Sequence, residues 1–134
     1  MTRPVHQTLI RIYYEDTDAG GIVYNANYLK FMERARTEWL RSLGLSSSDL
    51  QKERGITFVV SKIEIAYKRP AFLDDILMAE AVIEGSTERR LVIRQNITRD
   101  DKTIAEASAE LAMIDMTSGK GTKVPDDLLT LLLS

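Results

Sequence analysis

The chain has no cysteine, which removes disulfide bonds, thiolate metal ligands and a cysteine nucleophile from its chemistry and agrees with a reducing compartment. Histidine is almost as scarce. His6 is the only one, it falls in what reads as an N-terminal tail, and its default role there is incidental. No histidine cluster exists, and no metal is expected. An excess of one charge is missing too: 18 basic against 20 acidic residues leave a formal charge of -2, so no global field draws the protein to nucleic acid or anionic lipid. Finally, no apolar run approaches the ~20 residues of a membrane span, and the first six residues hold no apolar segment suited to a signal peptide. A cytoplasmic protein without membrane insertion is the expectation.

What is present suits a packed core. In 134 residues, 44% are hydrophobic and 28% charged, and a single domain over residues 1–134 is the simplest organisation. Thr8 to Glu15 is rich in β-branched and aromatic side chains and predicts a first strand. From Asn25 or Asn27 the period changes, with Tyr28, Met32, Ala35, Trp39 and Leu43 at helical spacing and Leu29, Phe31 and Leu40 widening the stripe. That gives a helix of roughly five turns. Lys30, Arg34, Glu38 and Arg41 occupy its polar face, and Gly44 is placed to end it. Ser48 and Gln51 match a capping box for a short helix that Gly55 stops.

Four β-like segments follow, Ile56 to Lys68, Asp75 to Gly85, Arg89 to Arg99 and Thr103 to Met116, separated by the turn signals Pro70 with Asp74-Asp75, Gly85 to Glu88, and Asp100-Asp101. Pro125 then suits the first turn of a small C-terminal helix. Strands gathered after one long helix predict an α+β layer, an antiparallel sheet with the helix on one face. Its open edges invite a second copy, so a homodimer that continues the sheet, stacked in some cases into a homotetramer, is expected.

The segment from Tyr14 to Tyr28 carries the chemistry. Carboxylates and the pair Gly20-Gly21 sit where the strand pattern hands over to the helix, which supplies a base or nucleophile beside N–H groups that favour negative charge. Asp18 also suits an Asx-turn. Tyr14 suits either a pocket wall or packing, whereas Glu15 and Asp16 read as solvated or turn-forming. A calcium loop starting at Asp16 fails, because its twelfth position falls on Asn27 where a bidentate glutamate is required.

The run Asp16-Thr17-Asp18-Ala19-Gly20-Gly21-Ile22-Val23-Tyr24, then Asn27-Tyr28 and Glu33-Arg34-Ala35-Arg36, resembles the hotdog-fold acyl-CoA thioesterases of the 4-hydroxybenzoyl-CoA thioesterase type, and most of all their YbgC branch, associated with the Tol-Pal system. Phe58-Val59-Val60 and the Arg69-Pro70-Ala71 to Asp74-Asp75 turn extend the likeness over nearly the whole chain. The resemblance implies a five- or six-stranded sheet wrapped around the central helix, with sites at a dimer interface. It implies that Asp18 is the catalytic carboxylate, as nucleophile or general base, and that the Asn25 backbone N–H polarises the thioester carbonyl. YbgC-like proteins often carry histidine where this chain has Asn25, and asparagine cannot shuttle protons near neutrality. An Asp-His pair is therefore not available here.

Substrate contacts are expected from Tyr14, Gly21, Val23, Tyr24, Val59 and Val60. Lys62, Arg89 and Arg90 are candidates for coenzyme A phosphates, with a solvated strand face as the competing reading. No cofactor beyond the coenzyme A of the substrate is expected. The leading function is hydrolysis of a short- to medium-chain or aromatic acyl-CoA. The alternative is a binding scaffold for acyl thioesters or acyl carrier protein, with little or no catalysis, linked to lipid synthesis or the envelope.

Overall fold

The structure, a computed structural model, describes residues 5–134, so residues 1–4 at the start of the expected tail lie outside the described residues. Strand β1 covers His6–Arg11, helix α1 Asn27–Ser42, α2 Ser47–Arg54, β2 Ile56–Tyr67, β3 Ile76–Ser86, β4 Arg90–Arg99, β5 Lys102–Asp115 and α3 Asp126–Leu133. Five strands form one antiparallel sheet in the order β1-β3-β4-β5-β2, with α1 on one face. Both outermost strands, β1 and β2, keep one edge unpaired among the described residues.

Three expectations need correction. His6 is not in a loose tail: it opens β1, opposite Ala81, and its Nε2 lies 3.1 Å from Thr8 Oγ1. The strand expected through Glu15 stops at Arg11, because the Asp16 carboxylate reaches back to accept the Tyr13 N–H at 2.8 Å and curls Tyr14–Asp16 into a 3-10 turn. A side chain that satisfies a backbone donor locally competes with the ladder. Finally, α2 is capped by Ser46, whose hydroxyl accepts from Asp49 N at 3.1 Å, and not by Ser48.

Helix α1 spans 16 residues and buries Tyr28, Phe31, Met32, Ala35, Trp39 and Leu40 of the stripe that the periodicity marks, whereas Leu29, expected to widen it, is exposed and Leu43 lies just past the helix end, partly buried. Leu45 N–H bonds to Leu40 O at 2.9 Å and Gly44 N–H to Arg41 O at 2.9 Å. With Gly44 at φ 78°, this is a Schellman ending, for which a glycine is the unstrained choice.

The buried face of α1 meets two apolar clusters. Its N-terminal half packs Tyr28, Phe31, Met32 and Ala35 on Ile10, Ile12, Leu77, Ile97 and Ile104. Its C-terminal half packs Trp39 and Leu40 on Ile83, Leu91, Ile93 and Met113, closed by Leu50 of α2 and by Leu128 and Leu132 of α3. Each fully buried Leu, Ile, Met or Phe contributes roughly 1.5–3 kcal/mol. Between the halves, Gln95 accepts from Arg36 Nη1 and donates to Met32 O, both at 2.9 Å.

In β2 the pairing slips between Val60 and Lys62. Val60 faces Leu111 and Ile63 faces Ala109, so both point to the helix side even though three positions separate them. Ser61 is the extra residue that allows this.

Candidate active site

The loop from Thr17 to Asn25 folds on itself. Asp18 N–H donates to Ile22 O at 2.8 Å, Thr17 and Val23 form a bridge, and Tyr24 N–H donates to Asp16 O at 2.8 Å. At its tip Gly21 N–H reaches Asp18 O at 3.0 Å, with Gly21 at φ 81°. Gly20 N–H holds Asp18 Oδ1 at 2.8 Å, so the Asx-turn reading of this aspartate is realised. A Cβ at position 20 would stand 3.2 Å from that same oxygen, tight enough to displace it. The Asp18 side chain is exposed, and its Oδ2 makes no hydrogen bond among the described residues.

Asp18 lines an open hollow of about 500 Å³ together with Tyr14, Thr17, Ala19, Gly21 and Leu73. The hollow is apolar on the Leu73 and Tyr14 sides and offers one carboxylate. Tyr14 is 82% exposed, which excludes the packing reading within one chain.

At the start of α1 the peptide groups are arranged with their donors outward. Asn27 N–H bonds to Tyr24 O at 2.9 Å, so the Asn25 N–H, on the opposite side of the same trans peptide, is directed away from the helix. The Tyr67 hydroxyl donates to Asn25 O at 3.2 Å and likewise turns the Ala26 N–H outward. Among the described residues neither of these two N–H groups has an acceptor. No side chain caps the helix. The helix begins at Asn27, the later of the two starts that the pattern allows.

The loop and the helix start are tied by a buried polar contact that the sequence does not reveal. Asn27 Nδ2 donates to Asp16 Oδ1 at 2.9 Å, and the two residues are 8% and 6% exposed. Asp16 is thus turn-forming, as expected, but buried and not solvated. Tyr67, which packs its ring 5.7 Å from Tyr28, was also missed; at the end of a strand pattern it carries no distinguishing signal. Burial pushes the Tyr28 phenol above its ordinary value, against the opposing pull of a hydrogen bond with the Ala71 backbone.

Other expected contacts are scattered within one chain. Val23 is buried beside Ala71, to whose carbonyl its N–H donates at 2.9 Å, and Tyr24 is exposed. Val59 and Val60 point to opposite faces of β2, Val60 lining a groove against Leu29, Lys30, Glu33 and Arg36 of α1. Lys62 lies on the outer sheet face, 3.0 Å from Glu64, as does Arg90, 3.7 Å from Glu110. Arg89 sits at the β3–β4 turn, 3.8 Å from Glu88. These cations serve ion pairs within their own chain, and Asp18 is not among their partners. The groove lined by Val60 does not include Asp18 either.

A sheet of this order around one helix, with a carboxylate loop entering that helix, defines the class to which the chain has likenesses throughout. The family described as "Thioesterase-like superfamily" matches residues 13–132. The chain belongs to this superfamily, with the hotdog fold, and is a thioester hydrolase. Within it, the chain is 39% identical to the Haemophilus influenzae protein named acyl-CoA thioesterase YbgC, over 89% of this chain and 88% of that one. It is 40% identical to the Escherichia coli acyl-CoA thioester hydrolase YbgC, over 90% of each. The crystal structure of a probable thioesterase from Bartonella henselae superposes with a TM-score of 0.85 at 34% identity, covering 91% of this chain and all of that one.

Proposed function

We propose that the chain hydrolyses acyl-CoA thioesters, of short to medium aliphatic or aromatic acyl groups, to the free acid and coenzyme A. The observation that carries this reading is the pairing of an exposed carboxylate, Asp18, with an acceptor-free N–H at Asn25, both held by one loop that leads into α1. Asp18 Oδ2 either attacks the thioester carbon, giving an anhydride that water then opens, or removes a proton from the attacking water. On both routes negative charge gathers on the carbonyl oxygen, and a fixed N–H at a helix start meets it; one such donor is typically worth about 10² to 10³ in rate.

The unpaired 12-residue edge of β2, carrying Val59 and Val60, supports a homodimer that continues the sheet, with a homotetramer as the larger assembly. Dimer formation also offers a way to bring Val60 and the cations of one copy toward the Asp18 loop of another. A second reading, an acyl-thioester or acyl-carrier-protein binding scaffold, is favoured by one observation: position 25 is asparagine, with no histidine beside Asp18.

The test is thiol release from a panel of acyl-CoAs by the wild type and by Asp18→Asn. The expected result is turnover that the substitution lowers at least about 10³-fold, with an unchanged melting temperature. Turnover that survives Asp18→Asn overturns the assignment of Asp18. Acyl-CoA binding with no turnover in either protein supports the scaffold.

A further inference from the structure

The Asp16 carboxylate is a buried charged group that the proposed chemistry does not use. Its surroundings are spare. Oδ2 takes the Tyr13 N–H at 2.8 Å, Oδ1 takes Asn27 Nδ2 at 2.9 Å, and its backbone carbonyl takes the Tyr24 N–H at 2.8 Å. Burying a carboxylate and an amide costs several kcal/mol unless both are hydrogen-bonded, so this contact fixes geometry more than it adds stability. Two residues after Asp16 comes Asp18; two residues before Asn27 comes Asn25. The contact therefore bridges the two strands of chain that carry the proposed catalytic groups, and sets one against the other.

We infer that Asp16 and Asn27 are positioning residues that hold the Asp18 loop in register with the outward N–H groups at the start of α1. The inference rests on the proposed function, since it assigns a role relative to Asp18 and Asn25. Neither side chain needs to touch substrate, and the charge of Asp16 takes no part in proton transfer. What matters is complementarity: an acceptor for Tyr13 N–H and one donor between positions 16 and 27.

Chemistry then distinguishes four variants. In Asp16→Asn the new amide oxygen accepts from Tyr13 while its nitrogen donates to Asn27 Oδ1 after that amide turns over, so kcat stays within a few-fold of wild type. In Asn27→Asp two carboxylates meet without a donor. Two facing carboxylates bind a shared proton more readily as pH falls, so kcat relative to wild type is lowest at the alkaline end of the profile, about 10²-fold down, the typical effect of a displacement of about 1 Å, and recovers toward acid pH as the shared proton restores the bond. In the double exchange, Asp16→Asn with Asn27→Asp, the donor faces the acceptor again and kcat returns. Asp16→Ala removes both acceptors and is not rescued by pH. The ionisable groups on elements packed at this corner are Tyr13, Tyr14, Glu15 and Asp18 of the turn, Tyr24, and Tyr67 of β2, with Asp75 and Arg99 acting on Tyr28. Among the described residues none of their side chains bonds the pair, so this titration belongs to positions 16 and 27.

The experiment measures kcat, KM and their pH profiles for wild type and the four variants, with deuterium uptake over residues 17–25 as a readout independent of turnover. Expected are a fall in kcat for Asn27→Asp at constant KM, recovery at acid pH, rescue by the double exchange, and faster uptake over 17–25 that the double exchange reverses. Full kcat in Asn27→Asp at every pH of the profile overturns the inference, as does a double exchange no better than the single one or unable to fold. Loss of kcat in Asp16→Asn makes Asp16 a catalytic carboxylate and also overturns it. Should wild type show no Asp18-dependent turnover, the proposed function fails, and uptake over 17–25 alone decides whether the two residues pin the loop.

Discussion

The two ends of helix α1 are built on opposite plans. At its C-terminal end Trp39 and Leu40 are covered by Leu50 of α2 and by Leu128 and Leu132 of α3, and the helix closes with a Schellman ending that satisfies its last carbonyls. At its N-terminal end no side chain caps the helix, two N–H groups face outward, and Tyr14, Asp18, Tyr24 and Asn25 are exposed. There, polar contacts from Asp16 and Tyr67 hold the chain in place. One end spends its surface on apolar burial; the other keeps donors open to solvent or to a ligand. Where a fold leaves helix donors unsatisfied while sealing the opposite end, the open end is where a charged ligand gains most from binding.

The division can be broken from the closed end first. Trp39→Ala should cost about 3–5 kcal/mol of unfolding free energy, measured in urea, while kcat per folded molecule stays at the wild-type value. A matching loss of kcat would mean that the two ends are not separable. Gln95 stands between them. Gln95→Leu leaves the half-buried Arg36 guanidinium, whose pKa burial already lowers, without its acceptor, and should cost about 1–3 kcal/mol. Adding Arg36→Met should recover most of that loss, because an apolar pair replaces an orphaned charge. If the double variant is no better than the single one, the bond to Met32 O is the part that counts. The smallest effect belongs to the open end. Tyr67→Phe removes one hydrogen bond to Asn25 O, worth about 0.5–1.5 kcal/mol, and should lower kcat a few-fold at constant KM. A change in KM alone would place Tyr67 against substrate instead of behind the helix start.

Much of this was legible without coordinates, for definite reasons. The α1 stripe follows from helical spacing, and all of Tyr28, Met32, Ala35 and Trp39 are buried where the period puts them. The four later strands fall within about two residues of their expected limits, because Asp74, Asp100 and Asp101, all at positive φ, punctuate them. Residue chemistry alone offered a base beside N–H groups in this loop, with an Asx-turn as the other reading of Asp18; family likeness singled out Asp18 among the carboxylates and the Asn25 N–H among the donors. What escaped was whatever depends on one side chain meeting a distant one. Asp16 reads as a turn residue until Asn27, eleven positions on, is seen to be its partner. Val59 and Val60 read as one pocket wall, yet neighbours along a strand face opposite ways. Lys62, Arg89 and Arg90 read as phosphate ligands by type, while Glu64, Glu88 and Glu110 beside them are visible only in the folded sheet.

The slip at Ser61 gives β2 something akin to a reading frame. Upstream of it the even-numbered residues Phe58 and Val60 belong to the helix side; downstream the odd-numbered Ile63, Ile65 and Tyr67 do. The slip at this one place is therefore not neutral. A ladder drawn straight through Ser61, with every residue paired in turn, would turn Lys62 and Glu64 toward the helix and withdraw the Tyr67 hydroxyl that holds Asn25, although every residue of the motif loop would still be in place.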